Sequence, residues 1–422
     1  MLSAKLFLVA ALLATATAVG AGAATVVDRP DTATTNRYYL GNRQPLEPSQ
    51  FVPLPIGSVQ PKGWLLAVLK RQRDGLCGHL GEISIWLQQD GNAWLSPDGR
   101  GKHGWEEVPY WLKGYLQLAY IFNDPKMIAA GETWIHGAIN SQRADGDFGP
   151  DQKFDDDGSR DFWANMTMLF CLETYYEHSQ DPRVIDLMTK YFQYHLRLPD
   201  NQLLTHYWQK MRGGDELYSI YWLYNRTGDA FLLDLADKIH RVTANWEMPG
   251  DLPNWHNVNI AECFRAPTVF WQQSSNAALF SFAEANYQVV MSQYGQVPGG
   301  AFGGDEVCRT GYYGPRQAFE TCGWVELMRS FEILNRITGN PVWAERCEDA
   351  AANSFPAALR TNMLSLHYLT APNQPETDNE TKAPDINNSG SPWFSSSPSE
   401  PNYYCCEHNH GMGWPCFCEE TW

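Results

Sequence analysis

The chain has 422 residues, which is long enough for one large domain or two to three ordinary ones. Its formal net charge of −17 argues against a nucleic-acid partner, because phosphate backbones require a basic surface. Tryptophan and tyrosine are abundant, with 17 and 20 residues, which suits either sugar-binding platforms or a large helical core.

The N-terminus has the pattern of an export signal. Lys5 precedes an apolar run, and small residues follow it as far as Ala23. This pattern predicts a signal peptide over residues 1–23 and a secreted or periplasmic protein, with an N-terminal extension over residues 24–51. No other stretch is long and apolar enough to span a bilayer.

The pattern becomes helical from about residue 57. Four segments each contain an amphipathic run, a short polar turn and a second amphipathic run, which predicts helical hairpins. The turns lie at Asp124, Asp181, Asp229 and Asn340, spaced 57, 48 and 111 residues apart, so the last gap is about two units wide. Hairpins that repeat in this way predict stacked helix pairs, in an open solenoid or a closed toroid.

Long loops rich in Gly, Trp and charge connect the hairpins, at residues 78–111 and 297–322. Such loops favour the mouth of an α/α barrel over a regular solenoid. Residues 371–402 are full of Pro, Ser, Asn and Asp, which predicts an extended loop that leads to a cysteine cluster.

Three segments carry residues typical of a metal or catalytic site. An acidic pair follows a Gly-rich loop, Glu320 and Cys322 open an apolar helix, and Cys405-Cys406 lies near the end. One carboxylate with three thiolates suits zinc, which takes four ligands in tetrahedral geometry. The spacing is not that of a zinc finger.

Two other interpretations of these cysteines stay open at this point. Export makes disulfides the default state of ten cysteines, although two adjacent cysteines fit disulfide geometry poorly. The adjacent pair can bond with Cys416, Cys418 or partners elsewhere, and Cys322 can be a buried apolar residue of its helix.

Taken together, the motifs resemble those of a known family. GGAFGGDE, GYYGPRQAFETC and NYYCCEHNHGMGWP, in that order, are similar to the marks of the β-L-arabinofuranosidase family of glycoside hydrolases, family 127. HGWEEVPYWLKGY and the hairpins extend the resemblance over residues 52–422. The resemblance implies one all-α catalytic domain, an (α/α)6 barrel, that binds zinc and hydrolyses an arabinofuranoside-containing glycan with retention of configuration.

The resemblance also implies a role for each motif residue. Cys405 is the nucleophile and a zinc ligand, because a metal-bound thiol is deprotonated whereas a free thiol, with a pKa near ~8.5, is mostly protonated. The other zinc ligands are Glu320, Cys322 and Cys406. Glu306 is the general acid/base, and its neighbour Asp305 is the rival for that role.

Histidines and aromatic residues are the predicted sugar binders. The resemblance points to His256, for which a core histidine is the alternative. The full set of predicted substrate-binding residues is His256, Asp305, His103, Trp105 and Glu107; Glu106 also lies at this predicted mouth.

Three differences from the family affect the prediction. Gly214-Asp215 stands where the family has Gly-His, and a family histidine near Thr167 is absent, which leaves the identity of the sugar open. The chain ends soon after the cysteine motif, so the β-sandwich domains usual in the family are expected to be missing. The alternatives are another α/α-toroid enzyme, such as a polysaccharide lyase or uronyl hydrolase, and a non-catalytic carbohydrate-binding toroid with structural zinc.

Overall fold

The computed structural model describes residues 40–248, 250–295, 299–300, 302–313, 317–371 and 405–420. The predicted signal peptide and most of the predicted loop before the cysteine cluster lie outside these ranges. Within them the regular structure is helical apart from two short strands, β1 (Phe319–Glu320) and β2 (Leu369–Thr370), which pair antiparallel. The all-α prediction is confirmed.

Sixteen α-helices follow one another in the described ranges. They are α1 (Gly63–Asp74), α2 (Leu76–Ile83), α3 (Glu107–Phe122), α4 (Pro125–Asn140), α5 (Trp163–Ser179), α6 (Pro182–Arg197), α7 (Tyr207–Met211), α8 (Gly213–Thr227), α9 (Phe231–Val242), α10 (Asn257–Cys263), α11 (Ala266–Ser274), α12 (Ala277–Tyr294), α13 (Thr321–Thr338), α14 (Pro341–Asp349), α15 (Cys405–Asn409) and α16 (Gly413–Glu420). None of these helices has both the length and the apolar character needed to cross a membrane.

The helices form a closed ring of hairpins. α3 packs on α5, α5 on α8, α8 on α10 and α11, and these on α13. The ring closes because α15 and α16 contact both α13 and α3. α4, α6, α9, α12 and α14 pack outside as the hairpin partners of the inner helices. The predicted toroid is therefore confirmed over the open solenoid.

Burial distinguishes the inner helices from the outer ones. α3 and α13 are buried around nearly their whole circumference. The outer helix α9 instead buries an apolar stripe, made of Leu232, Leu235, Ala236 and Ile239, together with Lys238, and its other residues are half-buried or exposed. This is the pattern expected when one layer of helices covers another.

Four of the five hairpin turns in the described ranges share one local design, and the turn at Asp229 differs because α9 has no side-chain cap. The inner helix ends in a left-handed residue, and an Asp or Asn side chain then accepts hydrogen bonds from the first backbone N–H groups of the outer helix. Asp124, Asp181 and Asn340 cap in this way, each followed by a proline that suits the first helical position. A fifth turn, at Ser275 and Asn276, fills the double gap in the sequence pattern.

These short turns leave the long loops at the other end of the ring, where the inner helices begin. Glu107 starts α3, His256 precedes α10, Glu320 precedes α13 and Cys405 starts α15. The topology thus brings the predicted site residues to one end of the toroid.

Ring closure depends on a close approach between α3 and the turn after α15. A Cβ atom on Gly114 would lie 2.1 Å from the carbonyl carbon of Gly411 and 2.4 Å from its oxygen. The Gln72 side chain holds the same turn by donating to the Gly411 carbonyl at 2.5 Å. Since both neighbours of the missing Cβ are backbone atoms, neither can move as a side chain can.

We expect Gly114→Ala to destabilise the protein by about 1–3 kcal/mol, because the added methyl forces α3 and the Gly411 turn apart. Urea unfolding followed by circular dichroism measures the change. Gly81→Ala is the matched control, since its Cβ would meet the Trp111 ring at 3.6 Å, an ordinary contact. Equal stability of the two variants would contradict a close approach between the backbones of α3 and the Gly411 turn.

Candidate active site

A cluster of one carboxylate and three thiols lies where α13 and α15 begin. The ligand atoms of Glu320, Cys322, Cys405 and Cys406 all lie within 4.8 Å of one another. Glu320 Oε1 is 3.7 Å from Cys405 Sγ and 3.8 Å from Cys406 Sγ, and the Cys322 backbone N–H donates to Cys406 Sγ at 3.3 Å. The structure brings together the four predicted metal ligands.

Burial and mutual contact perturb the pKa values of all four groups of the cluster. Burial raises the pKa of Glu320, Cys322 and Cys406 well above their usual values. Hydrogen bonds from the Cys322 and Cys406 thiols hold the pKa of Cys405 well below its usual value. The second carboxylate oxygen of Glu320 is buried and lacks a hydrogen-bond partner among the described residues. This donor set can hold a metal ion.

All ten cysteines lie in the described ranges, and all ten are free thiols. The default expectation of disulfides for an exported chain is therefore wrong for this structure. Cys416 Sγ instead donates to Glu332 at 2.9 Å, and Cys418 is buried in α16. The nearby His408 contacts Ser84 Oγ at 3.0 Å.

Tyr368 connects the cluster to the predicted acid, and the sequence motifs did not single it out. Its hydroxyl lies 3.4 Å from Cys405 Sγ and also hydrogen-bonds to Glu306 Oε1. The β1–β2 pairing places it there, since the Thr321 N–H donates to the Tyr368 carbonyl at 2.9 Å. A single oxygen atom thus separates the thiol of Cys405 from the carboxyl of Glu306.

Glu306 is held in an unusual backbone conformation. Its φ of 96° lies in a region that residues other than glycine rarely adopt. The segment is anchored on both sides: the Asn257 N–H donates to the Glu306 carbonyl at 2.7 Å, and the Cys308 N–H donates to the Trp255 carbonyl at 2.9 Å. Strain of this kind persists where the surrounding structure enforces it, often at functional sites.

His256 contacts the other oxygen of Glu306. Its Nδ1 accepts from the backbone N–H groups of Val258 and Asn259 at 3.2 and 3.4 Å, which caps α10. A neutral imidazole that accepts at Nδ1 carries its proton on Nε2. Nε2 lies 3.2 Å from Glu306 Oε2 and therefore donates to it.

Asp305 is oriented differently from its neighbour. It is 2% exposed and forms an ion pair with Arg309. Burial raises the pKa of Asp305 to about 7, although Arg309 opposes the shift. Among the predicted acids, Glu306 is the one whose carboxyl contacts both His256 and Tyr368.

The HGWEEV segment places two adjacent glutamates in different surroundings. Glu107 accepts the Trp105 N–H at 2.8 Å within its own loop. Glu106 accepts the indole N–H of Trp163. Burial, reinforced by the nearby negative charge of Cys405, raises the pKa of Glu106 to about 8. Of this pair, Glu106 is the one close to the thiol cluster, whereas the sequence favoured Glu107.

Two other predicted sugar binders take contacts within the mouth loops. Trp105 Nε1 donates to Asp161 Oδ2 at 2.9 Å. The His103 ring packs edge-on against Trp86, with ring centres 4.8 Å apart. These contacts position the loop before α3.

A buried cation at the start of α8 also lies close to the cluster. Arg212 pairs with Glu262 at 2.6 Å and donates to Asn259 at 2.8 Å and to Tyr110 at 3.1 Å. Its charge acts on both Glu320 and Glu106. Asp215, which replaces the expected histidine, instead pairs with Arg265.

A cavity of about 810 Å³ opens at the other end of the ring, away from this cluster. The ends of α5, α8 and α13 line it. Its lining contains four arginines, Arg43, Arg226, Arg329 and Arg336, but neither the thiols of the Glu320 cluster nor Glu306. Cavity size alone does not mark the site here, so the donor set and the contacts of Glu306 identify the candidate active site.

A family comparison agrees with the motifs. The family described as "Beta-L-arabinofuranosidase, GH127 catalytic domain" matches residues 30–418. The chain belongs to this family. No match was found among curated proteins.

Solved structures of two GH127 proteins and of a polysaccharide lyase are similar in fold to this chain. A GH127 beta-arabinofuranosidase has a TM-score of 0.62 at 15% identity, covering 92% of this chain and 63% of that chain. A GH127 beta-L-arabinofuranosidase from Geobacillus stearothermophilus T6 has a TM-score of 0.60 at 12% identity, covering 86% and 64%. A polysaccharide lyase has a TM-score of 0.53 at 12% identity, covering 84% and 98%. These similarities show the fold. The chain of 422 residues spans about 63% of the length of the first GH127 protein.

If the cluster holds a metal ion, we expect chelator treatment of the purified protein to increase iodoacetamide labelling of Cys405 by more than about tenfold, because the metal would occupy its sulfur. Cys405 is the partly exposed member of the cluster, whereas Cys322 and Cys406 are fully buried. Peptide mass spectrometry measures the labelling, with the buried Cys308 as internal control. Equal labelling with and without chelator would contradict a metal at this cluster.

Proposed function

We propose that the chain is a zinc-dependent, retaining glycoside hydrolase that cleaves β-L-arabinofuranosides. The observation that carries the proposal is the Tyr368 hydroxyl, which contacts both Glu306 and Cys405. A retaining glycosidase needs a nucleophile and a proton donor about ~5 Å apart. Here a thiol and a carboxyl separated by one oxygen atom supply that pair.

The donor set fits zinc. In a tetrahedral site, Zn–S distances near ~2.3 Å and Zn–O distances near ~2.0 Å separate an oxygen from a sulfur by roughly 3.5 Å and two sulfurs by roughly 3.8 Å. The observed separations of Glu320 Oε1 from two of the sulfurs are 3.7 and 3.8 Å. When bound, zinc supplies the positive charge that keeps thiols deprotonated. Glu320, Cys322, Cys405 and Cys406 would hold it.

In the first step, the sulfur of Cys405 attacks the anomeric carbon while the carboxyl of Glu306 gives its proton to the glycosidic oxygen. The C–O bond breaks and a C–S bond forms. Tyr368 suits this step, since its oxygen can accept from protonated Glu306 while its own proton points to sulfur. Burial raises the pKa of Tyr368 well above its usual value, so its hydroxyl keeps its proton.

In the second step, Glu306 is a carboxylate and takes a proton from water, whose oxygen attacks the anomeric carbon. The C–S bond breaks and the thiolate of Cys405 returns. His256 and Tyr368 then both donate to Glu306, which is the arrangement observed in the structure. These two donors orient the carboxylate toward the water.

The substrate and the location are also part of the proposal. The family description and the titles of two similar structures name β-arabinofuranosidases, which supports a furanoside substrate. The export-signal pattern at residues 1–23 supports a secreted or periplasmic location. In an oxidising compartment, bound zinc would also protect the cluster thiols from oxidation.

We expect a mechanism-based furanoside inhibitor to attach covalently to Cys405. Incubation, proteolysis and peptide mass spectrometry locate the sugar, and Cys418 serves as an internal control thiol. A label on Glu306 or Asp305 would overturn the thiolate mechanism. If zinc is bound, but neither covalent labelling nor furanoside hydrolysis occurs, the non-catalytic toroid with structural zinc is the correct alternative.

We expect Glu306→Gln to lower kcat/KM by about 10²–10⁴-fold, because the amide cannot transfer a proton. The loss is smaller for an aryl furanoside whose leaving group needs no protonation. Asp305→Asn is the matched control, and it removes the Arg309 ion pair without touching the contacts of Glu306. A larger leaving-group dependence in the Asp305 variant would reverse the assignment of the two acids.

A further inference from the structure

Three consecutive aromatic residues, at positions 206–208, begin next to the candidate catalytic pair. The Trp208 ring lies 4.8 Å, centre to centre, from the ring of His256. His256 in turn donates to Glu306 at 3.2 Å. Trp208 is only partly buried. It therefore lies between solvent and His256, one ring away from Glu306.

Tyr207, the residue before Trp208, is the most exposed aromatic side chain of this segment. It is 63% exposed and has a φ of 40°, a left-handed conformation that is rare for a bulky residue. The ring of Phe154, from the loop before α5, lies 5.5 Å from it. The ring of His206 packs on Phe154 at 4.8 Å. An exposed aromatic ring in a strained conformation needs a reason beyond core packing.

The loop that carries Phe154 is closed by backbone hydrogen bonds and is acidic. The Phe154 N–H donates to the Ser159 carbonyl at 2.9 Å, and the Gly158 N–H donates to the Phe154 carbonyl at 2.8 Å. Asp156 and Asp157 at its tip lie 3.9 and 3.2 Å from His206 Nε2 and keep 59% and 47% of their side chains exposed. Exposed carboxylates beside an aromatic face are suited to accept hydrogen bonds from sugar hydroxyls while the ring covers the apolar face of the sugar.

We propose that Phe154, Tyr207 and Trp208 form an outer subsite for a second sugar of the substrate, on the leaving-group side of the bond that is cleaved. The leaving-group side follows from Glu306, the proton donor, because the Trp208 ring packs on its partner His256 and Tyr207, which packs on Phe154, is the adjacent residue. The two aspartates favour a neutral sugar, since a uronate would be repelled. The inference rests on the proposed function, which defines Glu306 as the acid.

The test compares two substrates that share the same non-reducing furanose, a disaccharide and the methyl furanoside. In Tyr207→Ala the ratio of kcat/KM for the disaccharide to that for the methyl furanoside falls by about tenfold, mainly through KM, as expected for the loss of one stacking ring. Phe154→Ala lowers the same ratio. Trp64→Ala is the control, an equally exposed aromatic on α1 at 56%, and keeps the parent ratio. An unchanged ratio in both Tyr207→Ala and Phe154→Ala overturns the subsite.

A binding measurement separates failure of the subsite from failure of the proposed function. If the parent hydrolyses no furanoside, the proposed function fails, whereas affinity electrophoresis still tests the rings. The parent is expected to migrate more slowly in gels that contain neutral arabinan but not in gels that contain polygalacturonate. Tyr207→Ala loses this retardation and Trp64→Ala keeps it. No retardation of the parent, or equal retardation of both variants, overturns the subsite.

Discussion

The contact of α3 with the turn after α15 is the constraint on which the rest of the site depends. Because Gly114 has no side chain, its backbone meets the backbone of Gly411 at a place where a Cβ atom would collide. This approach closes the ring of inner helices and fixes the start of α15 beside the start of α13. Together with the direct contacts of α15 and α16 with α13, it places Cys405 and Cys406 beside Glu320 and Cys322, which lie more than 80 residues earlier in the chain.

Ring closure also sets the electrostatics of the candidate site. The inner helices begin at the same end, so their positive N-terminal ends face the carboxylates and thiols gathered there. Helix ends alone cannot balance three thiols and a carboxylate within 4.8 Å, because each is buried or nearly so. A cation bound there would resolve that conflict, and the four donors are of the types that zinc prefers.

In two pairs of adjacent acidic residues, the backbone directs the two side chains to different contacts. Asp305 pairs with Arg309, while Glu306, turned by its positive φ, reaches His256 and Tyr368. Glu107 accepts within its own loop, while Glu106 lies near the thiol cluster. In both pairs one side chain contacts its own loop and the other faces the candidate site. The direction of the side chain therefore decides which acid lies where a substrate could be protonated.

The sequence by itself determined the helical hairpins, since amphipathic periods and Asp or Asn caps before proline are local signals. It also determined the four cluster residues, because their motifs are distinctive. Tyr368 has no motif around it, and only the β1–β2 pairing places it between Cys405 and Glu306. The choice within each acidic pair, and the free state of all ten cysteines, likewise depended on the direction of side chains in three dimensions. Tertiary structure decided these points because they arise from contacts between segments far apart in the chain.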